Sequence, residues 1–269
     1  MENTARYFES LAYGDHPRHI LDICLPEVGK TTGVLLYIHG GAWYLGDKDG
    51  YRSHIKTVCN DLGCAAACMN YRYISPDVTM YDLLDDITAA LAFIKDFSAQ
   101  NGVTLTGSIL TGASAGGHLS LLYAYARMDS APIPPVAVAD DCGPTDLTDD
   151  GYFVCMKPEE RYSEIAKLMR WSTGIEMDYH GRKRYEKELL AISPISYVCP
   201  ESVPTIINHG KKDSIVSYRN AEILAKKLTD CGVEHVFNPY PNSDHGLDKD
   251  PDHANYAKEM LYSYIRRFF

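Results

Sequence analysis

Gly112-Ala113-Ser114-Ala115-Gly116 is the segment from which the rest of this chain can be interpreted. It follows the apolar run 108–111 and precedes the segment 117–123, which is typical of the start of a helix. A serine with glycines two positions before and after it, between a strand and a helix, is typical of a sharp turn that exposes the hydroxyl. Glycine is favoured on both sides because the turn leaves no room for side chains. The segment therefore predicts a serine nucleophile after a buried strand.

A second motif, His39-Gly40-Gly41-Ala42-Trp43, follows a short apolar run over residues 33–38 that predicts a buried strand. A serine that attacks a carbonyl creates an oxyanion. The backbone N–H groups of a glycine-rich loop can stabilise this oxyanion because no side chain intervenes. We expect the N–H groups of Gly41 and Ala42, together with that of Ala115 after the nucleophile, to form the oxyanion hole.

These two motifs resemble those of α/β-hydrolases of the esterase/lipase group with an HGGG-type oxyanion loop, related to hormone-sensitive-lipase-like carboxylesterases. The HGGAW variant is most similar to the acyl-sugar and acetyl-xylan or feruloyl esterase-like branch. The resemblance covers the chain from about residue 20 to its C-terminus. It departs at Ala42, which replaces a glycine, and this is tolerable because the loop uses backbone N–H groups. The resemblance implies an α/β fold with a mostly parallel central sheet and helices on both faces.

The other two catalytic residues follow from the family order of serine, then acid, then histidine. Asp213 follows a predicted strand at 202–208, and His245 lies in a turn-rich loop after the last predicted strand, 232–240. Ligand-site residues of open α/β sheets gather at the carboxyl ends of strands. We therefore expect Ser114, Asp213 and His245 to form the catalytic triad.

Each of these assignments has competitors in the sequence. Asp141 and Asp146 follow the strand before that of Asp213, and some relatives of the wider fold place the acid there. Asp244 is disfavoured because it is adjacent to His245 in the chain, and an adjacent residue cannot easily orient the histidine ring. His39, His118 and His209 are expected to have packing or supporting roles, and His253 is expected to open the last helix.

The expected chemistry is two-step acyl transfer on a small-molecule ester, and it requires no metal or organic cofactor. His245 takes the proton of Ser114, Asp213 fixes the imidazole tautomer, and Trp43 lines the substrate pocket or packs beneath the loop. Short acyl esters, above all acetyl esters of plant-polysaccharide fragments, are the expected substrates. An arylformamidase-like amidase and a lipase remain alternatives. A prolyl-oligopeptidase-type peptidase would carry a large extra domain, and a binding-only protein would typically have lost a triad member.

Composition agrees with an enzyme of this kind. The chain has 269 residues and a net charge of −10, which argues against nucleic acid and anionic membrane surfaces as partners. The first ten residues lack the apolar core of a secretory signal, so we expect a cytoplasmic protein, and its oligomeric state is open. The eight cysteines have no paired C-x-x-C spacing, so we expect reduced thiols and no metal site.

Strands and helices are expected to alternate within one domain, 1–269. Predicted helices lie at 51–62 and 83–97, and predicted strands at 64–71 and 135–139. Residues 20–25 are expected to form an outer strand that pairs antiparallel. The alternation is interrupted after residue 140, where about sixty residues with helix-prone parts at 158–173 and 182–192 precede the next strand. We expect a helical cap insertion at about 144–200, with an ordinary helical excursion as the alternative.

Overall fold

The computed structural model describes residues 5–269, with the side chain of Arg182 left out, and its centre is an eight-stranded sheet. The spatial order is β1-β2-β4-β3-β5-β6-β7-β8. Neighbours from β4 to β8 are parallel, whereas β2 pairs antiparallel with both β4 and β1. The mostly parallel sheet is therefore confirmed. The strands are β1 (Arg6–Ala12), β2 (Ile20–Leu25), β3 (Thr31–Ile38), β4 (Ala65–Met69), β5 (Thr104–Ala113), β6 (Pro135–Asp141), β7 (Thr205–Gly210) and β8 (His235–Tyr240).

Helices cover both faces of this sheet. One face packs against α1 and α7, and the other packs against α2, α3 and α6. Among the described residues, no helix combines the length and the apolar character that crossing a bilayer requires. The helices are α1 (Arg52–Leu62), α2 (Met80–Gln100), α3 (Ala115–Ala126), α4 (Pro158–Thr173), α5 (Glu186–Leu190), α6 (Arg219–Asp230) and α7 (Pro251–Phe268).

The central strand β3 is buried on both faces, which explains why polar and apolar residues do not alternate in its sequence. Leu36 and Ile38 point into the core beneath α2 and α3, while Leu35 and Tyr37 point into the core beneath α1 and α7. A strand that is buried on both faces reads as a continuous apolar run, as is usual in parallel sheets. Helix α1, in contrast to β3, buries apolar side chains on one side only. It is capped at its C-terminus by Gly63, which adopts the left-handed conformation with φ 63°.

The edge of the sheet differs from the sequence prediction. Strand β2 pairs antiparallel as expected, but it lies between β4 and the unpredicted strand β1. In β1, Arg6, Glu9 and Ser10 keep the segment polar, and an irregular pairing between Phe8 and Leu11 breaks its alternation. An edge strand needs less apolar surface than a central one, so its sequence carries a weaker signal.

The long connection from β6 to β7 contains the helices expected for a cap. Helix α4 has the predicted bounds, and it buries Ile165, Leu168 and Met169. The second predicted helix is a 3-10 turn, Arg182–Tyr185, which leads into the short α5. A further 3-10 turn, Pro194–Tyr197, follows before β7.

Candidate active site

Ser114 lies on the turn between β5 and α3. Its φ of 57° and ψ of −122° are strained for a residue with a side chain. Backbone hydrogen bonds hold this turn in place. The Ser114 N–H donates to the Asp141 carbonyl at 2.7 Å, and the His118 N–H donates to the Ser114 carbonyl at 3.0 Å. A Cβ atom at Gly116 would overlap the Ile38 carbonyl of the neighbouring strand. The close approach predicted for this turn therefore fixes its position against β3.

The loop after β3 brings a second set of backbone groups to this turn. Gly41, Ala42 and Trp43 have φ values of 115°, 47° and 64°. The Gly41 carbonyl accepts from the Leu45 N–H at 2.9 Å, and a Cβ atom at Gly41 would overlap the Leu45 carbonyl. Within the described part of the chain, the N–H groups of Ala42 and Ala115 donate to no backbone acceptor. Both groups therefore remain free to bind an external oxygen.

His39 and His118 support this loop from below. His39 stacks on Tyr71 with ring centroids 4.2 Å apart, and its Nδ1 lies 2.8 Å from the Gly40 carbonyl. The Trp43 indole N–H donates to His118 Nδ1 at 3.2 Å, so the other ring nitrogen of His118 carries its proton and donates to the Ile192 carbonyl at 2.8 Å. Burial lowers the pKa of each histidine to about 4. Both rings are therefore neutral at pH 7.

Asp213 and His245 meet at the carboxyl ends of β7 and β8. His245 Nδ1–H donates to Asp213 Oδ2 at 2.8 Å, while the N–H groups of Ile215 and Val216 donate to Oδ1 at 2.9 and 2.8 Å. The carboxylate has no exposed side-chain surface, whereas His245 is 23% exposed. The acid is thus fixed in the interior, and the imidazole reaches from it toward solvent.

His209 is a second histidine on this carboxylate. Its Nε2 lies 3.2 Å from Asp213 Oδ2 and 2.9 Å from the Val216 carbonyl. Burial by itself would raise the pKa of Asp213, but the hydrogen bonds from His209 and His245 outweigh burial and hold it well below its usual value. The sequence predicts only a loop-supporting role for His209. The sequence feature that could have indicated a contact with Asp213 is the position of His209 on a buried strand, four residues before the acid.

Backbone bonds join the two loops that hold Asp213 and His245. The Lys211 N–H donates to the Tyr240 carbonyl at 2.9 Å, and the Lys212 N–H donates to the Ser243 carbonyl at 3.1 Å. Asp244 adds a side-chain link, since its Oδ1 accepts from the Ser214 N–H at 2.9 Å and from the His245 N–H at 2.8 Å. Hydrogen bonds between the two loops therefore fix the distance between the Asp213 carboxylate and the His245 imidazole.

The competing carboxylates have other partners. Asp141 accepts from the side-chain amide of Asn208 at 2.8 Å, and burial raises its pKa. Asp146 accepts from the Thr148 N–H at 2.9 Å in a local turn. Neither is hydrogen-bonded to His245.

A cavity of about 470 Å³ opens beside these groups. Ser114, His245, the loop after β3 and α4 border it together, and most of its lining side chains are apolar. Trp43 is among them, but it is only 6% exposed and its N–H is bonded to His118, so it both lines the cavity and packs. The larger apolar side chains, besides that of Trp43, are Leu45, Leu147, Phe153, Ile165, Leu168, Met169, Ile215 and Val216.

Backbone strain is concentrated around this cavity. Among the described residues, seven non-glycine residues have positive φ, and all except Ser10 lie in this region: four line the cavity, Cys142 lies near Asp213 and His245, and Leu247 follows His245 by two residues. Each such residue costs of order 1–3 kcal/mol, and the surrounding structure must hold it in place. The six are Ala42, Trp43, Ser114, Cys142, Phe153 and Leu247.

Helix α4 is joined to the loop after β3 by a polar contact. The Tyr44 hydroxyl donates to Glu164 at 2.7 Å, and Lys167 forms an ion pair with Glu164 at 2.6 Å. The segment before α4 is joined to the acid-bearing loop, since the Phe153 N–H donates to the Ile215 carbonyl at 2.8 Å. This connection therefore borders the cavity and contacts both the loop after β3 and the acid-bearing loop.

Known proteins are similar to this chain in sequence or in fold. Esterase LipQ of Mycobacterium tuberculosis (strain ATCC 25618 / H37Rv) is 28% identical over 246 residues, which are 88% of this chain and 56% of LipQ. The chain thus spans little more than half the length of this relative. A truncated carbohydrate esterase from gut microbiota superposes with a TM-score of 0.79 at 21% identity and covers 99% of both chains. Esterase B from Lactobacillus Rhamnosis (HN001) gives a TM-score of 0.75 at 20% identity, over 98% of this chain and 87% of that one.

These likenesses show the α/β-hydrolase fold. The BD-FAE family model matches residues 21–228, which include the loop after β3, the Ser114 turn and Asp213. By this match over most of its length, the chain belongs to the BD-FAE family.

Proposed function

We propose that this protein is a serine carboxylesterase in which Ser114, His245 and Asp213 form the catalytic triad. The observation that carries the proposal is the 2.8 Å hydrogen bond between His245 and the buried Asp213, at a cavity that Ser114 also borders. His245 accepts the Ser114 proton as the hydroxyl oxygen attacks the ester carbonyl, and Asp213 stabilises the imidazolium that forms. The alcohol leaves with that proton, and water then repeats the sequence to release the acid.

The N–H groups of Gly41, Ala42 and Ala115 are the proposed oxyanion hole. Ala115 follows the nucleophile at the first turn of α3, where backbone N–H groups have no intrahelical acceptor. The Ala42 N–H lies in the strained loop across the cavity. Two donors from separate elements can meet on one oxygen as negative charge develops there.

Short acyl esters are the proposed substrates, and residues about 144–200 are the proposed cap. The apolar lining contributed by α4 suits an acyl chain better than a sugar ring, so we assign this side of the cavity to the acyl group. The sugar in the proposed substrate class, acetylated plant-polysaccharide fragments, comes from the family resemblance and from the gut carbohydrate esterase.

One substrate series tests this proposal. We would measure kcat/KM for p-nitrophenyl esters from acetate to palmitate, with acetylated xylo-oligosaccharides, methyl ferulate and N-formylkynurenine in parallel, using Ser114→Ala as the blank. The proposal expects the maximum at acetate or butyrate, with release of acetate from the oligosaccharides. A maximum at octanoate or longer would favour a lipase. Preferential hydrolysis of N-formylkynurenine would favour an arylformamidase-like amidase.

A further inference from the structure

Three potential metal ligands, one of them the His245 imidazole, lie close together at the proposed triad. The sulfur of Cys142, a carboxylate oxygen of Asp213 and a ring nitrogen of His245 all lie within 4.8 Å of one another. They follow three neighbouring strands, β6, β7 and β8, whose carboxyl ends meet at one edge of the sheet. Thiolate, carboxylate and imidazole together are a donor set that zinc uses in proteins.

The spacing of these three atoms suits one small cation. Atoms separated by at most 4.8 Å share a centre that lies within about 2.8 Å of each. Zinc bonds of about 2.0–2.3 Å would then require the Cys142 sulfur to move inward by roughly half an ångström, while Asp213 Oδ2 and His245 Nδ1, which are 2.8 Å apart, separate by a similar amount.

Cys142 has no part in the proposed acyl transfer, yet its position is tightly specified. It is only 1% exposed, its φ is 55°, and its N–H donates to the Asn208 carbonyl at 2.9 Å. Burial and the nearby Asp213 carboxylate raise the pKa of its thiol well above the usual value. A divalent cation would offset both effects, because its charge stabilises thiolate and carboxylate together.

We propose that Cys142, Asp213 and His245 form an inhibitory site for a thiophilic divalent cation, Zn²⁺ or Cd²⁺. When the cation binds, Cys142 releases its S–H proton to solvent. The proton on His245 Nδ1 moves to Nε2, and Nδ1 takes the metal in place of its hydrogen bond to Asp213. With a proton on Nε2, the imidazole has no lone pair to accept the Ser114 proton. Removal of the metal reverses every step.

Inhibition provides the first test, and it rests on the proposed esterase function. Hydrolysis of p-nitrophenyl acetate is titrated with Cd²⁺ or Zn²⁺ and then with a chelator, each variant being compared with its own metal-free rate. We expect Cys142→Ser and Cys142→Ala to raise the half-inhibitory concentration at least about tenfold. Cys155→Ser is the matched control, because Cys155 is the exposed cysteine, and it should leave inhibition unchanged.

Direct binding provides the second test, independent of catalysis. In the Ser114→Ala variant, Cd²⁺ should generate the ultraviolet thiolate-to-cadmium band, complete at one equivalent of Cd²⁺ per protein. The band should be absent in the double variant that also carries Cys142→Ser. A band that survives Cys142→Ser or disappears with Cys155→Ser would overturn the metal site. If no ester is hydrolysed, the proposed function fails, whereas the band alone still decides the metal site.

Discussion

At the scale of single residues, the two carboxylate oxygens of Asp213 have different partners. Its Oδ1 accepts two backbone N–H groups, and its Oδ2 faces two histidines. The backbone bonds therefore fix the rotation of the carboxylate, and that rotation aims the second oxygen at His245. An acid held this way can orient an imidazole without moving during the reaction.

This arrangement makes Asp213→Asn a sharp test. The backbone N–H groups of Ile215 and Val216 require an acceptor, so the amide oxygen should face them and the NH₂ group should face His245. An NH₂ group cannot accept from Nδ1–H, so His245 should adopt the wrong tautomer. We expect kcat for p-nitrophenyl acetate to fall about 10⁴-fold with the fold intact by circular dichroism.

Asp141→Asn and Asp146→Asn are the matched controls for that variant. Their carboxylates bond Asn208 and Thr148, so we expect each to lower kcat far less than Asp213→Asn. Should either prove the more damaging change, the assignment of Asp213 as the catalytic acid is wrong.

At the scale of elements, α4 is the one that should set acyl-chain preference. Leu168 lines the cavity and is 6% exposed, whereas Ser163 lies on the exposed side of the same helix. A larger side chain at Leu168 would shorten the cavity, while the same side chain at Ser163 would extend into solvent.

We therefore expect Leu168→Trp to lower kcat/KM for p-nitrophenyl hexanoate roughly tenfold or more relative to acetate. The added volume should also cost about 1–3 kcal/mol of unfolding free energy. Ser163→Trp is the control and should leave the hexanoate-to-acetate ratio unchanged. An unchanged ratio in Leu168→Trp would mean that the acyl group binds elsewhere.

The elements also show what sequence could and could not predict. The Ser114 turn and the loop at Gly41 are local motifs, and β3 is a continuous apolar run, so each was visible in a few residues. Strand β1 was missed because a polar edge strand has no comparable pattern. The contacts of His209 and Cys142 with Asp213 were also missed, since they join residues that come together only when separate strand ends meet.

At the scale of the whole molecule, the buried neutral histidines should weaken the fold in acid, while the buried carboxyls of Asp140 and Asp141, whose pKa burial raises, act in the opposite direction. His39 and His118 have pKa values lowered by burial from 6.5 to about 4. Between these two values the unfolded chain binds more protons at these two histidines than the folded one. Acidification through this range therefore favours unfolding, whereas above about pH 7 neither histidine contributes a pH dependence.

We expect the two histidines to contribute a fall in the unfolding free energy, measured by urea denaturation, as the pH is lowered from about 7 to about 4.5. His118→Gln should make that fall smaller, because only one of the two buried imidazoles remains. Lys258→Gln, a change of an exposed charge on α7, should leave the slope unaltered. A slope that His118→Gln leaves unchanged would contradict the role given to this histidine.

The six left-handed residues, four at the cavity and two in the loops near the Asp213–His245 pair, also bear on how long the protein keeps its activity at raised temperature. Each stores free energy that a local loop rearrangement would release, whereas the strands beneath are buried on both faces. We expect the loops to relax while the sheet is still intact, so that turnover declines before any melting transition. The working lifetime of the protein would then be limited by a handful of turns, and a sturdier core alone would not extend it.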